Sequence, residues 1–437
     1  MSLVAWFRTG PAAPRLPDAE VKKVYRRYRW QVFEAGFIGY TFYYFVRNNL
    51  AVVAPDIGEA LQYSKPMIGN IFAITAICYG IGKFVMGYMS DHSNPRKFMA
   101  TGLFLTACVN FMFAGSTTYA VHLVLWALNG LVQGMGGPSH GRILAHYYSY
   151  NERGFIYGAA NIAHNLGGGI IGVFAAWCAT RYGWEYAFIF PGLIALAGSG
   201  YLYFRLRNIP VAEGLPPIQE YRNAYPPNEK VQIERDLSFR EMFMIYILPN
   251  KFIWILCASN FFVYIARYCM LDWGPYYLVQ QKGATIIQAG MSTLILEFSG
   301  IAGVVLTGWL SDRMDGRRGK MCTLCMAPLV LVFIGIMLTP AGMLWLDYIL
   351  FGCLGFLIYS PLALIITMSL DVTSRRSVGT AQGFVGLFGY IGRVVQGMGI
   401  GLIAEYRDWH TVFYLIIGST VIGSILMLFT WKVRPQA

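Results

Sequence analysis

Twelve separate stretches of about 20 mostly apolar residues set the strongest limit on what this 437-residue chain can become. They begin near Trp30, Pro66, Lys97, Tyr119, Arg153, Glu185, Pro249, Ile286, Lys320, Met343, Ser377 and Asp408. A helix of that length crosses the hydrocarbon core of a bilayer. Composition points the same way, with 56% apolar residues, 13% charged residues and a mean hydropathy of +0.48. The expected fold class is therefore an all-α integral membrane protein with 12 transmembrane helices.

A net charge of +12 raises the question of a nucleic-acid partner, but the basic residues follow membrane topology. One set of alternate connections holds only Lys65, Arg181, Lys282 and Arg407. The opposite set holds twelve basic residues, running from Arg96 and Lys97 through Arg142, Arg153, Arg205 and Arg313 to Arg375 and Arg376. By the positive-inside rule both termini and the central connection face the cytoplasm. The first thirty residues carry seven basic residues and no apolar core of signal-peptide type. A multi-pass protein of the cell inner (plasma) membrane is expected, surrounded by lipid and with no nucleic-acid partner. Nearly all of the eight cysteines fall inside spans, so they read as packing residues rather than disulfides. The CxxC spacing of Cys322 and Cys325 lies at an apolar helix start, where a metal or redox site is not expected. No metal and no cofactor are expected.

The chain repeats itself. Arg47 and Arg267 are 220 residues apart, and the loop motifs GYMSDHSNPRK and GWLSDRMDGRR place Asp91 and Asp312 221 apart. Gly154 and Gly379, Gly158 and Gly383, Trp184 and Trp409, and Phe188 and Phe413 are each separated by 225. Between the halves, Pro210, Pro216, Pro217, Pro226 and Pro227 punctuate a polar stretch too short for an ordinary catalytic domain. The expected organisation is an N-terminal six-helix bundle over 1–208, a cytoplasmic linker over 209–248 and a C-terminal six-helix bundle over 249–437. Parallel six-span repeats of this kind occur in secondary transporters, with the substrate at the repeat interface. No enzymatic activity is expected.

Arginine inside a span costs roughly 2.5 to 3.5 kcal/mol on insertion scales, so it faces a bundle interior or a cavity and has a partner. Tyr40, Tyr44 and Arg47 fall at i, i+4 and i+7, on one helical face, and Asn260, Tyr264 and Arg267 repeat the spacing. Away from their ends, the spans hold Glu34, Asp272 and Glu297 against Arg47, Lys83, Arg267 and Arg393, a surplus of cations that suits an anionic ligand. Guanidinium groups fork onto phosphate oxygens, which favours phosphate over a neutral solute. The bland alternative is that Arg267 pairs with Asp272 or Glu297 and only ties helices together. Tyr79 with Lys83, and Asn161 with His164, share helical faces able to reach a cavity. The adjoining Gly167, Gly168 and Gly169 favour a tightly packed wall there, and His164 is able to make binding pH-dependent. Tyr359, Tyr390 and Arg393 complete the candidate wall. Asp91, Arg96, Asp312 and Arg317, in the loop motifs, read as gating contacts at cytoplasmic helix ends.

These motifs resemble the major facilitator superfamily and, within it, the organophosphate:phosphate antiporters, which include glycerol 3-phosphate, hexose 6-phosphate and phosphoglycerate transporters. The matching pieces span nearly the whole chain: YRRYRWQVF (Tyr25 to Phe33), YYFVRNN (Tyr43 to Asn49), CYGIGKFVMG (Cys78 to Gly87), NIAHNLGGG (Asn161 to Gly169), VYIARYCMLDWGPYYL (Val263 to Leu278) and GLFGYIG (Gly386 to Gly392). The resemblance implies that Arg47 and Arg267 grip the phosphate, with His164, Tyr40, Tyr44, Lys83, Asn161, Tyr264, Tyr359 and Tyr390 around the substrate. Three departures touch the part that senses the organic moiety: Ala160, Asn48 and Gly137 stand where relatives carry tryptophan, lysine and tryptophan. Gln382 and Val385 stand where hexose-phosphate transporters carry an acid and a base, which argues against a hexose.

The expected function is exchange of an organophosphate, glycerol 3-phosphate first, for inorganic phosphate by alternating access. The N-terminal segment and GLPPIQEY (Gly214 to Tyr221) resemble glycerol 3-phosphate transporters. Asn48 and QGMGGPS (Gln133 to Ser139) leave a phosphoglycerate open, and the alternatives are a phosphoglycerate or hexose 6-phosphate antiporter or a transporter-like hexose-phosphate sensor. A proton-coupled carrier would need a carboxylate relay, for which Glu297 is the candidate. A monomer is expected.

Overall fold

Helices account for the architecture because the apolar stretches leave no water to satisfy backbone polar groups in any other way. The structure, a computed structural model, describes residues 6–223, 241, 243–314, 316–373 and 378–433. The bases Arg375 and Arg376, the start of a span at Ser377, the side chain of Arg153 and most of the later linker lie outside the described residues.

The long helices are α1 (Asp18–Ala60), α2 (Lys65–Asp91), α3 (Pro95–Ala114), α4 (Tyr119–Gln133), α5 (Gly136–Tyr147), α6 (Tyr150–Tyr182) and α7 (Tyr186–Arg205). They are followed by α8 (Lys251–Tyr268), a π-helical turn (Cys269–Trp273), α9 (Gly274–Lys282), α10 (Ile286–Arg313), α11 (Arg318–Leu338), α12 (Leu344–Asp371), α13 (Val378–Tyr406) and α14 (Trp409–Leu428). Among the described residues, ten helical segments are long and apolar enough to cross a membrane. The two remaining spans are α1, whose apolar run is interrupted by Glu34, Arg47 and Asp56, and the fourth span, which breaks at Gly134 and Met135 into α4 and α5. The twelve-span, all-α reading therefore stands. Large apolar side chains such as Phe84, Phe155, Phe204 and Leu331 are 70–81% exposed, which suits a lipid-facing surface and not one in water.

Local signals set the helix ends. Asn94 caps α3 by accepting from the Arg96 and Lys97 amides at 3.0 and 3.4 Å, with Pro95 in the first turn. Thr285 and Gln288 form a capping box at α10, and the Asp408 carboxylate accepts from the Thr411 amide at 2.7 Å to open α14.

By contact, the chain divides into two compact units: residues 1–49, 78–171 and 185–234, and residues 50–77, 172–184 and 235–437. In the first unit Tyr25, Val32, Val46, Leu103, Ile143, Tyr147 and Leu202 form a buried core. Part of the predicted linker is folded onto it. The Leu16 amide donates to the Gly214 carbonyl at 2.9 Å, Tyr25 stacks on Tyr221 at 4.2 Å, and its hydroxyl donates to the Pro216 carbonyl. Glu152, at the start of α6, accepts from both Arg29 and Arg222. Burial pushes the Glu152 carboxyl up, but hydrogen bonds from Arg29 and Ser149 outweigh that and hold it below the usual range.

In the second unit, glycines let helices approach until backbones touch. An added Cβ at Gly303 would meet the Phe356 carbonyl at 2.1 Å, and one at Gly355 the Leu296 carbonyl at 2.0 Å, so α10 and α12 lie in direct contact. Gly392 holds α13 against the Phe261 carbonyl of α8 in the same way. The unit also takes in the start of α2 and the end of α6. Gly69 packs on Gly397 of α13, Gly172 on Gly290 of α10, and the Lys65 ammonium donates to the Ala404 carbonyl at 2.8 Å.

Candidate functional site

Each unit holds one of the repeated arginines in an aromatic setting. In the first, Arg47 sits on α1 and is 8% exposed. Polar side chains fix the helix around it: Asn110 and Asn129 both donate to the Val46 carbonyl at 3.0 Å, and Gln133 donates to the Tyr43 carbonyl at 2.9 Å. Asn49 donates to Asn110 and to the Ala187 carbonyl. This lattice ties α1 to α3, α4 and α7, so the position of Arg47 does not depend on its own contacts alone.

The Arg47 guanidinium lies 4.0 Å from the Tyr79 ring centroid and 5.3 Å from that of Tyr44. Tyr44 meets Tyr40 edge-on at 5.5 Å and His164 at 5.6 Å. His164 Nδ1 lies against the Asn161 carbonyl on the same helix. Gly167 brings α6 onto α1, where an added Cβ would lie 2.5 Å from the Thr41 carbonyl and 2.8 Å from Tyr44. Tyr40, Tyr44, Arg47, Tyr79, His164 and Asn161 thus form one connected group. Lys83 and the Asn161 side chain are exposed, and Lys83 stands one turn from Tyr79. Sequence reasoning missed His140, which is 5% exposed, lies 5.3 Å from the Tyr40 ring and has a buried Nε2 with no hydrogen-bond partner among the described residues.

In the second unit Arg267 lies in the last turn of α8 and is 6% exposed. It donates to the Tyr359 hydroxyl at 2.9 Å, and that hydroxyl donates to Glu297 at 2.5 Å. Glu297 therefore answers the arginine through a phenol, part of the outcome the bland alternative foresaw. Asp272 does not pair with Arg267. It lies in the π-helical turn and accepts from Arg393 of α13, Nη2 to Oδ1 at 3.1 Å and Nη2 and Nε to Oδ2 at 3.3 and 3.4 Å. Both guanidiniums also contact Tyr268, Arg393 at 3.9 Å and Arg267 at 4.9 Å from the ring centroid. Tyr264 joins Tyr268 to Tyr390, with centroids 5.3 and 5.7 Å away. Asn260 is structural, donating to the Val385 carbonyl at 2.9 Å. Tyr268 was missed, although its place directly after Arg267 was a signal.

The loop-motif acids Asp91 and Asp312 end α2 and α10 exposed, while Arg96 lies over the Tyr203 ring at 5.2 Å and Arg317 precedes α11. The cation that ties the end of α2 is Arg142, which donates to the Ser90 and Ser93 carbonyls. A cavity of about 610 Å³ lined by Asn250, Lys251, Asp371 and Lys432 touches none of the predicted site residues.

Each unit thus sets a buried arginine among tyrosines, and comparison with known proteins places the chain. The pattern of the Major Facilitator Superfamily matches residues 36–397. The chain is 38% identical to the glycerol-3-phosphate transporter of Bacillus subtilis (strain 168), over 99% of this chain and 98% of that protein. It is 35% identical to a probable hexose phosphate transport protein of Chlamydia trachomatis, over 95% and 94% of the two chains. Among solved structures, a bacterial homolog of the human lysosomal transporter Spinster superposes with a TM-score of 0.73 at 16% identity, covering 92% of this chain and 95% of that one. With a family match over most of its length and relatives aligned end to end, this chain belongs to the Major Facilitator Superfamily and is a transporter-type membrane protein, not an enzyme.

Proposed function

We propose that this protein exchanges an organophosphate for inorganic phosphate across the cell inner membrane by alternating access, with Arg47 and Arg267 holding the phosphate. The observation that carries the reading is the pair of repeat-related arginines, each buried and each set on tyrosine rings. Guanidinium suits phosphate, and an occupied site offsets charges that otherwise oppose closure. Glycerol 3-phosphate is the first expected substrate, in keeping with the relative from Bacillus subtilis. The six-span bundles over 1–208 and 249–437 rock about the substrate, both termini face the cytoplasm, the protein acts as a monomer, and the loop residues Asp91, Arg96, Asp312 and Arg317 gate the cytoplasmic ends.

The test is uptake of labelled glycerol 3-phosphate by phosphate-loaded liposomes containing the purified protein. Uptake that requires internal phosphate is the expected outcome. Phosphate binding without uptake of any phosphate ester would overturn exchange and identify a sensor.

A further inference from the structure

Arg393, already placed in the candidate wall, is the third buried arginine among the described residues, and the pair assigned to phosphate leaves its ligand unnamed. It is 5% exposed, and its guanidinium turns two nitrogens, Nε and Nη2, toward Asp272. Its remaining nitrogen, Nη1, is buried and has no hydrogen-bond partner among the described residues. A guanidinium carries five donors, and leaving an arm of it unfilled in a buried place is costly unless something fills it during the working cycle. Arg267 shows the same condition at Nε, buried and unfilled, while its Nη2 is spent on Tyr359.

The two arginines share one ring. Arg393 lies 3.9 Å and Arg267 4.9 Å from the centroid of Tyr268, so their separation cannot exceed those two contacts laid end to end. A three-carbon molecule with an acid at each end spans such a gap. Arg393 also stands one turn beyond Tyr390 on α13, on the face that reaches Tyr264. The backbone is braced to hold this geometry. Asp272 lies in the π-helical turn, and Gln396, on the same helix as Arg393, donates to the Tyr268 carbonyl at 3.2 Å.

We propose that Arg393 is a specificity-determining residue that reads a second acidic group, so that the preferred substrate is a three-carbon phosphoester carrying a carboxylate. Asp272 holds the guanidinium over the Tyr268 ring and leaves Nη1 for the substrate carboxylate, while Arg267 keeps to the phosphate. This rests on the exchange reading and departs from it in one respect: the first expected substrate, the phosphorylated alcohol, gives way to the phosphorylated acid. A site with a donor built for that acid rejects an analogue that lacks it.

The experiment measures uptake of labelled 3-phosphoglycerate and glycerol 3-phosphate into phosphate-loaded liposomes. In the wild-type protein 3-phosphoglycerate is expected to show a KM lower by about tenfold or more. Arg393→Gln is expected to raise the KM for 3-phosphoglycerate by about tenfold or more while changing that for glycerol 3-phosphate by less than about threefold, with Arg393→Lys recovering part of the difference. The double variant Asp272→Asn with Arg393→Gln removes both charges together, so it avoids a lone buried carboxylate and should show the same selective loss. A wild-type preference for glycerol 3-phosphate, or an equal loss of both substrates in the double variant, would overturn the role of Arg393 and leave exchange standing. Absence of phosphate-dependent uptake of either ester by the wild type would overturn exchange itself, and this inference with it.

Discussion

Single charges in apolar helices were the most legible residues of the chain, because each has to be explained by burial, pairing or ligand. Arg47 and Arg267 stood out in that way, but of the rings against them only Tyr44 lies one turn back on the same helical face; Tyr79 and Tyr359 come from other helices and Tyr268 is the next residue. Which of the two acids, Asp272 or Glu297, serves which arginine of the second unit was not legible. Asp272 stands five residues after Arg267, a spacing that a regular α-helix puts on another face, and the π-helical turn at Cys269–Trp273 changes the register locally. Which carboxylate meets which arginine was therefore decided by packing: Gly300 and Gly303 bring α10 onto α12 and place Glu297 beside Tyr359, leaving Asp272 to Arg393. A residue-scale prediction separates charge from shape. Arg47→Lys and Arg267→Lys keep the positive charge but lose the fork, and each should lower phosphate exchange by about a hundredfold or more. Exchange kinetics on variants matched for membrane expression check this, and rates within threefold of wild type in either would exclude the two-arginine grip.

At the scale of elements, glycines that look alike in the sequence prove to do different things. The run Gly167, Gly168 and Gly169 was expected to make a tight wall, and Gly167 does: α6 meets the α1 backbone at Thr41 and Tyr44 there. Gly158, one of the glycines repeated 225 residues later, has nothing within 4 Å of an added Cβ, and neither has its counterpart Gly383. No pattern along one chain distinguishes a glycine against a neighbouring helix from one beside open space, since the neighbour comes from a distant part of the sequence. The contrast gives a paired prediction. Gly167→Leu forces α1 and α6 apart, costs on the order of 1–3 kcal/mol in overpacking, and should lower exchange at least tenfold by displacing Tyr44 and Arg47. Gly158→Ala should leave exchange within twofold and raise the melting temperature slightly, because alanine favours a helix interior by roughly 1 kcal/mol over glycine. Thermal unfolding in detergent, read beside transport rates, checks both.

For the molecule as a whole, span number and helical class were legible because hydropathy measures them directly, whereas the contacts among helix ends were not. A sequence repeat records that two halves are alike, and it carries nothing about which ends touch in a given conformation. Within the second unit the ends of α2 and α6 from the first repeat pack on α13 and α10 from the second, through Gly69 against Gly397 and Gly172 against Gly290. Lys65 adds a polar clasp, donating to the Ala404 carbonyl and facing the Glu405 carboxylate at 3.8 Å. Lys65 belongs to the sparsely basic set of connections, so in the proposed topology this clasp lies on the outer side. Alternating access by rocking bundles requires these contacts to part once per cycle, and a pair only 14% and 35% exposed will not be replaced by water without separating the helices. Substituting cysteine at Lys65 and Glu405 and joining them with a short thiol-specific cross-linker should therefore abolish phosphate exchange, and a cleavable linker should restore it on reduction. Because the clasp itself is one ion pair at a partly exposed edge, worth about 1 kcal/mol at most, the uncross-linked double variant should transport at near wild-type rates. Full exchange with the cross-link complete would show that the outer ends stay closed throughout, and a rocking cycle would then have no path for substrate on that side.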